Sequence, residues 1–120
     1  MEAVAKIVAL FGPRRGVVRE IERRLLIGRA LDADLHLLDE KVSREHCALE
    51  AGPSGYQVRD LGSRNGTWLG EEQLVANELR PLHDGQYLRL GGNLIGWYFG
   101  NARLWELLRS PAELRKYTEV

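Results

Sequence analysis

A single cysteine, Cys47, stands in a chain of 120 residues. Without a second thiol there is no intrachain disulfide, and zinc sites built on two or four thiolates are excluded. Such cysteine usage fits the reducing cytoplasm, the expected compartment. No apolar run approaches the roughly 18 residues of a membrane-crossing helix. The opening MEAVAKIVALFGPRRG scatters its charges through the apolar run instead of placing them ahead of it, unlike a signal peptide. Neither sign of charge is in excess, since 17 Lys plus Arg balance 17 Asp plus Glu. The broad positive field that attracts nucleic acid or an anionic membrane surface is therefore missing, neither is an expected partner, and any anion site must be local. Threonine is scarce too: Thr67 and Thr118 are the two in the chain.

What is present is globular in kind, with 44% hydrophobic and 28% charged residues in a length suited to one domain. Short segments rich in branched and aromatic residues recur at 4–11, 17–21, 24–27, 35–38, 46–50, 56–60, 67–69, 87–90 and 94–99, separated by Gly, Asp, Asn, Ser or Pro. This texture predicts an all-β sandwich or barrel. The period changes over the last twenty residues. Asn101 can cap a short helix carrying Leu104, Leu107 and Leu108, and Ser110-Pro111-Ala112-Glu113 has capping-box spacing for a second turn. A sandwich over residues 1–100 and a short helical extension over 101–120 are expected. The extension is too apolar for free solvent, so it packs on the sandwich or, alternatively, forms a homodimer surface.

Three loops hold the chemistry. Gly28-Arg29 closes one strand, Lys41-Val42-Ser43-Arg44-Glu45-His46 precedes another, and Ser63-Arg64-Asn65-Gly66 fills a turn between two more. A guanidinium is a rigid fork of donors matched to phosphate oxygens, a serine hydroxyl adds a short donor, and an Asn amide can bond a peptide main chain from both sides. Loops that alternate along a sandwich gather at one end, so these residues describe a phosphate clamp with a peptide-facing arm.

The order Gly-Arg, Ser-x-x-His, Asn-Gly resembles the forkhead-associated domain, a family of phosphothreonine-peptide readers. The likeness runs over roughly residues 4–100 and includes Asp34-Leu-His-Leu37, Asp60-Leu-Gly-Ser-Arg-Asn-Gly-Thr67 and Leu82-His-Asp-Gly85. It implies a sandwich of about eleven strands in two antiparallel sheets. By the same resemblance Arg29 and Ser43 bind the phosphate, with Lys41 and Arg44 as further basic contacts. Ser63, Arg64 and Asn65 face the peptide, and Gly28, His46 and Gly66 support the loops. The chain departs from the family pattern at Gly70-Glu71, where a second Asn-Gly is common, and at Gln86, where an acid is common; neither touches the phosphate site.

The function expected is a non-enzymatic, phosphothreonine-dependent adaptor for a partner in trans, monomeric or weakly dimeric, with no cofactor or metal. A phosphate-independent scaffold or an oligomerisation module on the same fold is the alternative. Ser43 and His46 at i, i+3 lack a nucleophile elbow and an orienting acid, so catalysis is not expected. Cys47 alternates with Leu49 on a buried face and reads as an inert core thiol. The arginines of residues 14–24 interleave with Glu20 and Glu22 and read as a solvated hairpin face. Thr118 is followed by Glu119 and Val120 and offers no third residue beyond a phosphothreonine, which argues against the chain reading its own tail.

Overall fold

Alternating apolar residues are what build the two sheets in the computed structural model, which describes residues 5–99 apart from Pro13, Ser54 and Asp84. Eleven strands follow in order: β1 (Ala5–Phe11), β2 (Val18–Ile21), β3 (Arg24–Gly28), β4 (Leu35–His36), β5 (Cys47–Gly52), β6 (Gly55–Asp60), β7 (Trp68–Leu69), β8 (Glu72–Gln73), β9 (Arg80–Pro81), β10 (Tyr87–Leu90) and β11 (Asn93–Phe99). One sheet has the order β2-β1-β11-β10-β7-β8 and the other β4-β3-β5-β6-β9. Ile7, Ala9, Leu88, Leu90, Ile95 and Trp97 from the first meet Leu25, Ile27, Cys47, Leu49 and Val58 from the second in one core. Burying each of the larger side chains contributes about 1.5–3 kcal/mol.

Nine of the eleven strands coincide with segments legible in the sequence. The other two, β8 (Glu72-Gln73) and β9 (Arg80-Pro81), are two-residue strands with no alternating apolar signal, and Pro81 fits the edge position it occupies. Pairing is antiparallel except for β3 and β4, which run parallel with Ile27 opposite Leu35 and Gly28 opposite His36. The six residues between them double back along β3, where the Asp34 carboxylate accepts the Leu26 N–H at 2.7 Å. The expected helical turns over 101–120 lie outside the described residues. Among the described residues no helix is long and apolar enough to cross a membrane.

Cys47 is fully buried against Leu49 and its neighbours, and burial, followed by the charge of Asp60, pushes its thiol far above the usual range. Its alkylation by iodoacetamide is expected to follow global unfolding: negligible in native buffer and rapid in denaturant, as read by intact-mass spectrometry. Fast modification of the native chain would contradict the inert-thiol reading.

The connections that matter all lie at one end of the sandwich. Arg29 N–H and Ala30 N–H, just past β3, donate to Ser43 and Arg44 carbonyls of the β4–β5 loop at 2.9 and 3.1 Å. Leu61 N–H, just past β6, donates to the His46 carbonyl at 2.9 Å. The Asp39 carboxylate of the β4–β5 loop reaches the other sheet, accepting from Gly92 N–H at 2.8 Å and the Asn93 side-chain amide at 3.0 Å in the β10–β11 turn.

Candidate phosphopeptide site

Arg29 comes first because its position is forced by the backbone beneath it. A side chain at Gly28 would place its Cβ 2.0 Å from the Arg44 carbonyl oxygen, so glycine alone lets β3 lie against the 43–44 backbone. Arg29 is thereby hydrogen-bonded through its own N–H to Ser43, and its Nε donates to the Val42 carbonyl at 3.1 Å. That bond fixes the guanidinium plane while the four N–H groups on its two Nη atoms stay available.

Ser43 is half-buried, and its hydroxyl oxygen accepts the Arg64 N–H at 3.0 Å. The hydroxyl proton is left to donate to an incoming anion. Asn65 donates from Nδ2 to the Lys41 carbonyl at 2.8 Å, which keeps its Oδ1 and second amide hydrogen for a peptide main chain. These two contacts cross-link the β4–β5 and β6–β7 loops. Arg29, Lys41, Arg44 and Arg64 are all exposed, and among the described residues no carboxylate lies within ion-pair distance of any of them. A chain of zero net charge thus places four exposed cations at one end, with Lys41 in electrostatic reach of Asp39.

His46 sits beneath, with its side chain fully buried. Its Nδ1 accepts the Ser43 N–H at 3.0 Å and its Nε2–H donates to the Gly66 carbonyl at 2.9 Å, an arrangement that requires the neutral ring. Gly66 itself adopts φ +89° to complete the turn. Burial is the largest influence on His46 and holds its pKa below 6.5, opposed by the bond to Gly66 and the charges of Asp60 and Asp39. The unfolded chain therefore takes up the proton first. Stability is full above pH 6.5 and declines as pH falls from 6.5 toward the folded-state pKa. Chemical denaturation at descending pH is expected to show this decline with a slope of up to about 1.4 kcal/mol per unit, and a flat profile would contradict it.

The structure brings all ten sequence-selected residues to this end, and it gives one of them a further duty. Ser63 donates its hydroxyl proton to Asp60 Oδ1 and accepts the Gly66 N–H at 3.0 Å, so it braces the turn. Asp60 and Asp39 carry structural weight that the sequence reading missed. Asp60 is buried and also accepts from Thr67 Oγ1 at 2.7 Å and from the N–H groups of Gly62 and Ser63, both at 3.0 Å. Burial alone would raise its pKa. The Ser63 and Thr67 hydroxyls, the Ser63 N–H and His46 outweigh it, and the carboxyl is held below its usual range. Asp39 is likewise held low, its partial burial outweighed by the Gly92 and Lys41 N–H bonds, the Lys41 charge and Asn93. The signal for both was the Asx turn, an acid bonding the N–H two residues on: Asp60 to Gly62 and Asp39 to Lys41.

The sequence profile of the FHA domain matches residues 25–91, more than half of the chain and the stretch that contains all ten of the selected site residues. The chain belongs to the FHA domain family. The FHA domain-containing protein FhaB of Mycobacterium tuberculosis is 38% identical over 74 residues, covering 62% of this chain and 46% of FhaB. This chain thus spans about half the length of that relative. Among solved structures, the solution structure of the FHA domain of an Arabidopsis thaliana hypothetical protein superposes with a TM-score of 0.76 at 26% identity, over 83% of this chain and 88% of that one. A second FHA structure, determined in a study of phosphothreonine-dependent FHA domain interactions, gives a TM-score of 0.71 at 25% identity, over 82% and 98%. The FHA domain is a binding module, and its family binds phosphothreonine peptides.

Proposed function

We propose that this FHA domain is a non-enzymatic adaptor that binds a phosphothreonine segment of a partner protein in trans. The observation that carries the reading is the Arg29–Ser43 pair. The two are hydrogen-bonded neighbours, one with a plane-fixed guanidinium and the other with a hydroxyl proton left free. A phosphate bears about −1.5 to −2 charges and three acceptor oxygens, which this pair meets with a bidentate fork and a hydroxyl donor. Lys41 and Arg44 add charge at the rim, while Arg64 and Asn65 take the peptide. The hydrogen bonding of the site supports binding over chemistry, because His46 accepts the Ser43 main-chain N–H and not the serine hydroxyl proton.

Fluorescence anisotropy with a degenerate phosphothreonine peptide library and its unphosphorylated twin tests the reading. Binding is expected for the phosphorylated library, and Arg29→Ala is expected to weaken it by about tenfold or more. Each hydrogen bond to a charged group contributes roughly 1.5–3 kcal/mol. Equal binding of both libraries would turn the assignment to a phosphate-independent scaffold.

A further inference from the structure

The arginines of residues 14–24 read in the sequence as one solvated face, and the fold divides them. β1 ends opposite Leu94, beside the Asn93 that opens β11, so the β1–β2 turn over residues 12–16 comes out at the phosphopeptide end. The β2–β3 turn at Glu22-Arg23 comes out at the other end, where Arg24 pairs with Glu50 at 3.5 Å. Gly12 seats the first turn against the β10–β11 turn: a Cβ there would lie 2.5 Å from Asn93 Oδ1 and 3.1 Å from the Gly92 carbonyl oxygen. Gly92 and Asn93 are the residues that the Asp39 carboxylate holds, two positions before Lys41. Within the turn Arg15 N–H donates to the Gly12 carbonyl at 3.0 Å and Val17 N–H to the Arg14 carbonyl at 2.9 Å. Arg14 and Arg15 are thereby built into the same end of the sandwich as Arg29 and Lys41.

Arg14 repeats the construction of Arg29. Its Nε donates to the His36 main-chain carbonyl at 2.9 Å, as that of Arg29 does to Val42, and its Nη2 donates to His36 Nδ1 at 3.3 Å. The guanidinium plane is fixed by these bonds and three N–H groups remain. Arg15 beside it is exposed. Among the described residues no carboxylate lies within ion-pair distance of either, whereas Arg24, Arg59 and Arg80 each have one. A pinned guanidinium with free Nη groups suits an oxyanion, and it gives up less freedom on binding than a loose surface arginine.

The anchor of Arg14 is close to the phosphate clamp. His36 is the register partner of Gly28, the residue before Arg29, so the strand that holds Arg14 lies about 4.8 Å from the strand that leads into Arg29. With two arginine side chains added, the anions they hold would stand about 10–17 Å apart, or three to five residues of extended peptide at about 3.3 Å each. Both arginines precede the stretch shared with the family, so membership assigns them no role. We infer that the β1–β2 turn is a second anion subsite, where Arg14 and Arg15 bind a carboxylate or a second phosphate three to five residues from the phosphothreonine of the same partner segment. The inference rests on the phosphothreonine reading and gives it a ligand class: a phosphothreonine in an acidic or doubly phosphorylated context.

Fluorescence anisotropy of the full chain tests the two separately. Three degenerate phosphothreonine libraries are compared, with Ala, Glu or phosphoserine fixed at the third to fifth positions on both sides of the phosphothreonine. The native chain is expected to favour the Glu library over the Ala library by about threefold and the phosphoserine library by about tenfold, the range of exposed and charge-assisted pairs. A preference for phosphoserine alone would name the second phosphate as the ligand. R14Q/R15Q is expected to bind all three alike, with its Ala-library Kd within about twofold of native. Equal binding of the three libraries by the native chain, while binding still requires the phosphothreonine phosphate, overturns the subsite and leaves the clamp standing. So does a preference that survives R14Q/R15Q. Loss of phosphate dependence altogether overturns both. Should the double variant not fold, R15E, which alters one exposed side chain, is expected to abolish the preference, and a preference as large as native then overturns the subsite.

Discussion

Asp60→Ala is expected to destabilise the chain by about 3–5 kcal/mol, the largest effect of any single side-chain removal at this end. The carboxylate is buried and accepts four hydrogen bonds, from the Ser63 and Thr67 hydroxyls and the Gly62 and Ser63 N–H groups. Alanine removes the common acceptor and strands the donors, each costing about 1–3 kcal/mol where water cannot replace it. The sum is tempered because the exposed turn admits water to the Gly62 side. Against a total stability of about 5–15 kcal/mol this is a large fraction, so the urea midpoint should fall steeply with little change in slope. Thr67→Val removes one of the four donors and is expected to cost about 1 kcal/mol. Equal midpoints for Asp60→Ala and the native chain would show that the β6–β7 turn holds its shape without the carboxylate.

Gly28→Ala acts on the site from below and is expected to abolish phosphopeptide binding more completely than loss of any one contact residue. The new methyl would lie 2.0 Å from the Arg44 carbonyl oxygen, 2.8 Å from its carbon and 3.2 Å from the Ser43 oxygen. All three are main-chain atoms that cannot rotate aside. Either β3 or the 43–44 segment must move by more than an ångström, which breaks the bonds from Arg29 N–H and Ala30 N–H and parts Arg29 from Ser43. Overpacking of this kind costs about 1–3 kcal/mol in stability. Affinity is expected to fall by more than about a hundredfold, because two charged hydrogen bonds to phosphate are lost together. Gly52→Ala at the opposite end of the same sheet, where the nearest atom is 3.3 Å away, serves as the control and should bind normally. Isothermal titration of both variants with one phosphopeptide separates the effects. Undiminished binding by Gly28→Ala would mean that the Arg29–Ser43 contact is not what holds phosphate.

The sandwich, and the gathering of the three loops at one end of it, were legible because both are written in short-range signals. Short runs rich in branched and aromatic residues mark nine of the strands, and Arg29, Ser43 and Asn65-Gly66 sit at loop positions where their chemistry has no role in a core. β8 and β9 left no trace because two residues without a branched or aromatic side chain give no strand signal, and their pairing follows from neighbours that position them. The inward duty of Ser63 was hidden for a different reason: a hydroxyl in a turn looks the same whether it faces a ligand or the carboxylate three residues back. Asp39 reaches Gly92 and Asn93 more than fifty residues away, and such a contact exists in the fold alone.

The cross-links between the two ligand loops bear on rates. With Asn65 bonded to the Lys41 carbonyl and Arg64 N–H to Ser43 Oγ, the two loops are tied to one another, and little ordering is expected to remain for an encounter with a ligand. Association should then be governed by collision and by the field of the four exposed cations, fast in dilute buffer and slowed as ionic strength rises. Partner sequences that share the phosphate would arrive at similar speeds. What distinguishes them would be how long each stays, so selectivity among phosphorylated partners would reside in the dissociation rate.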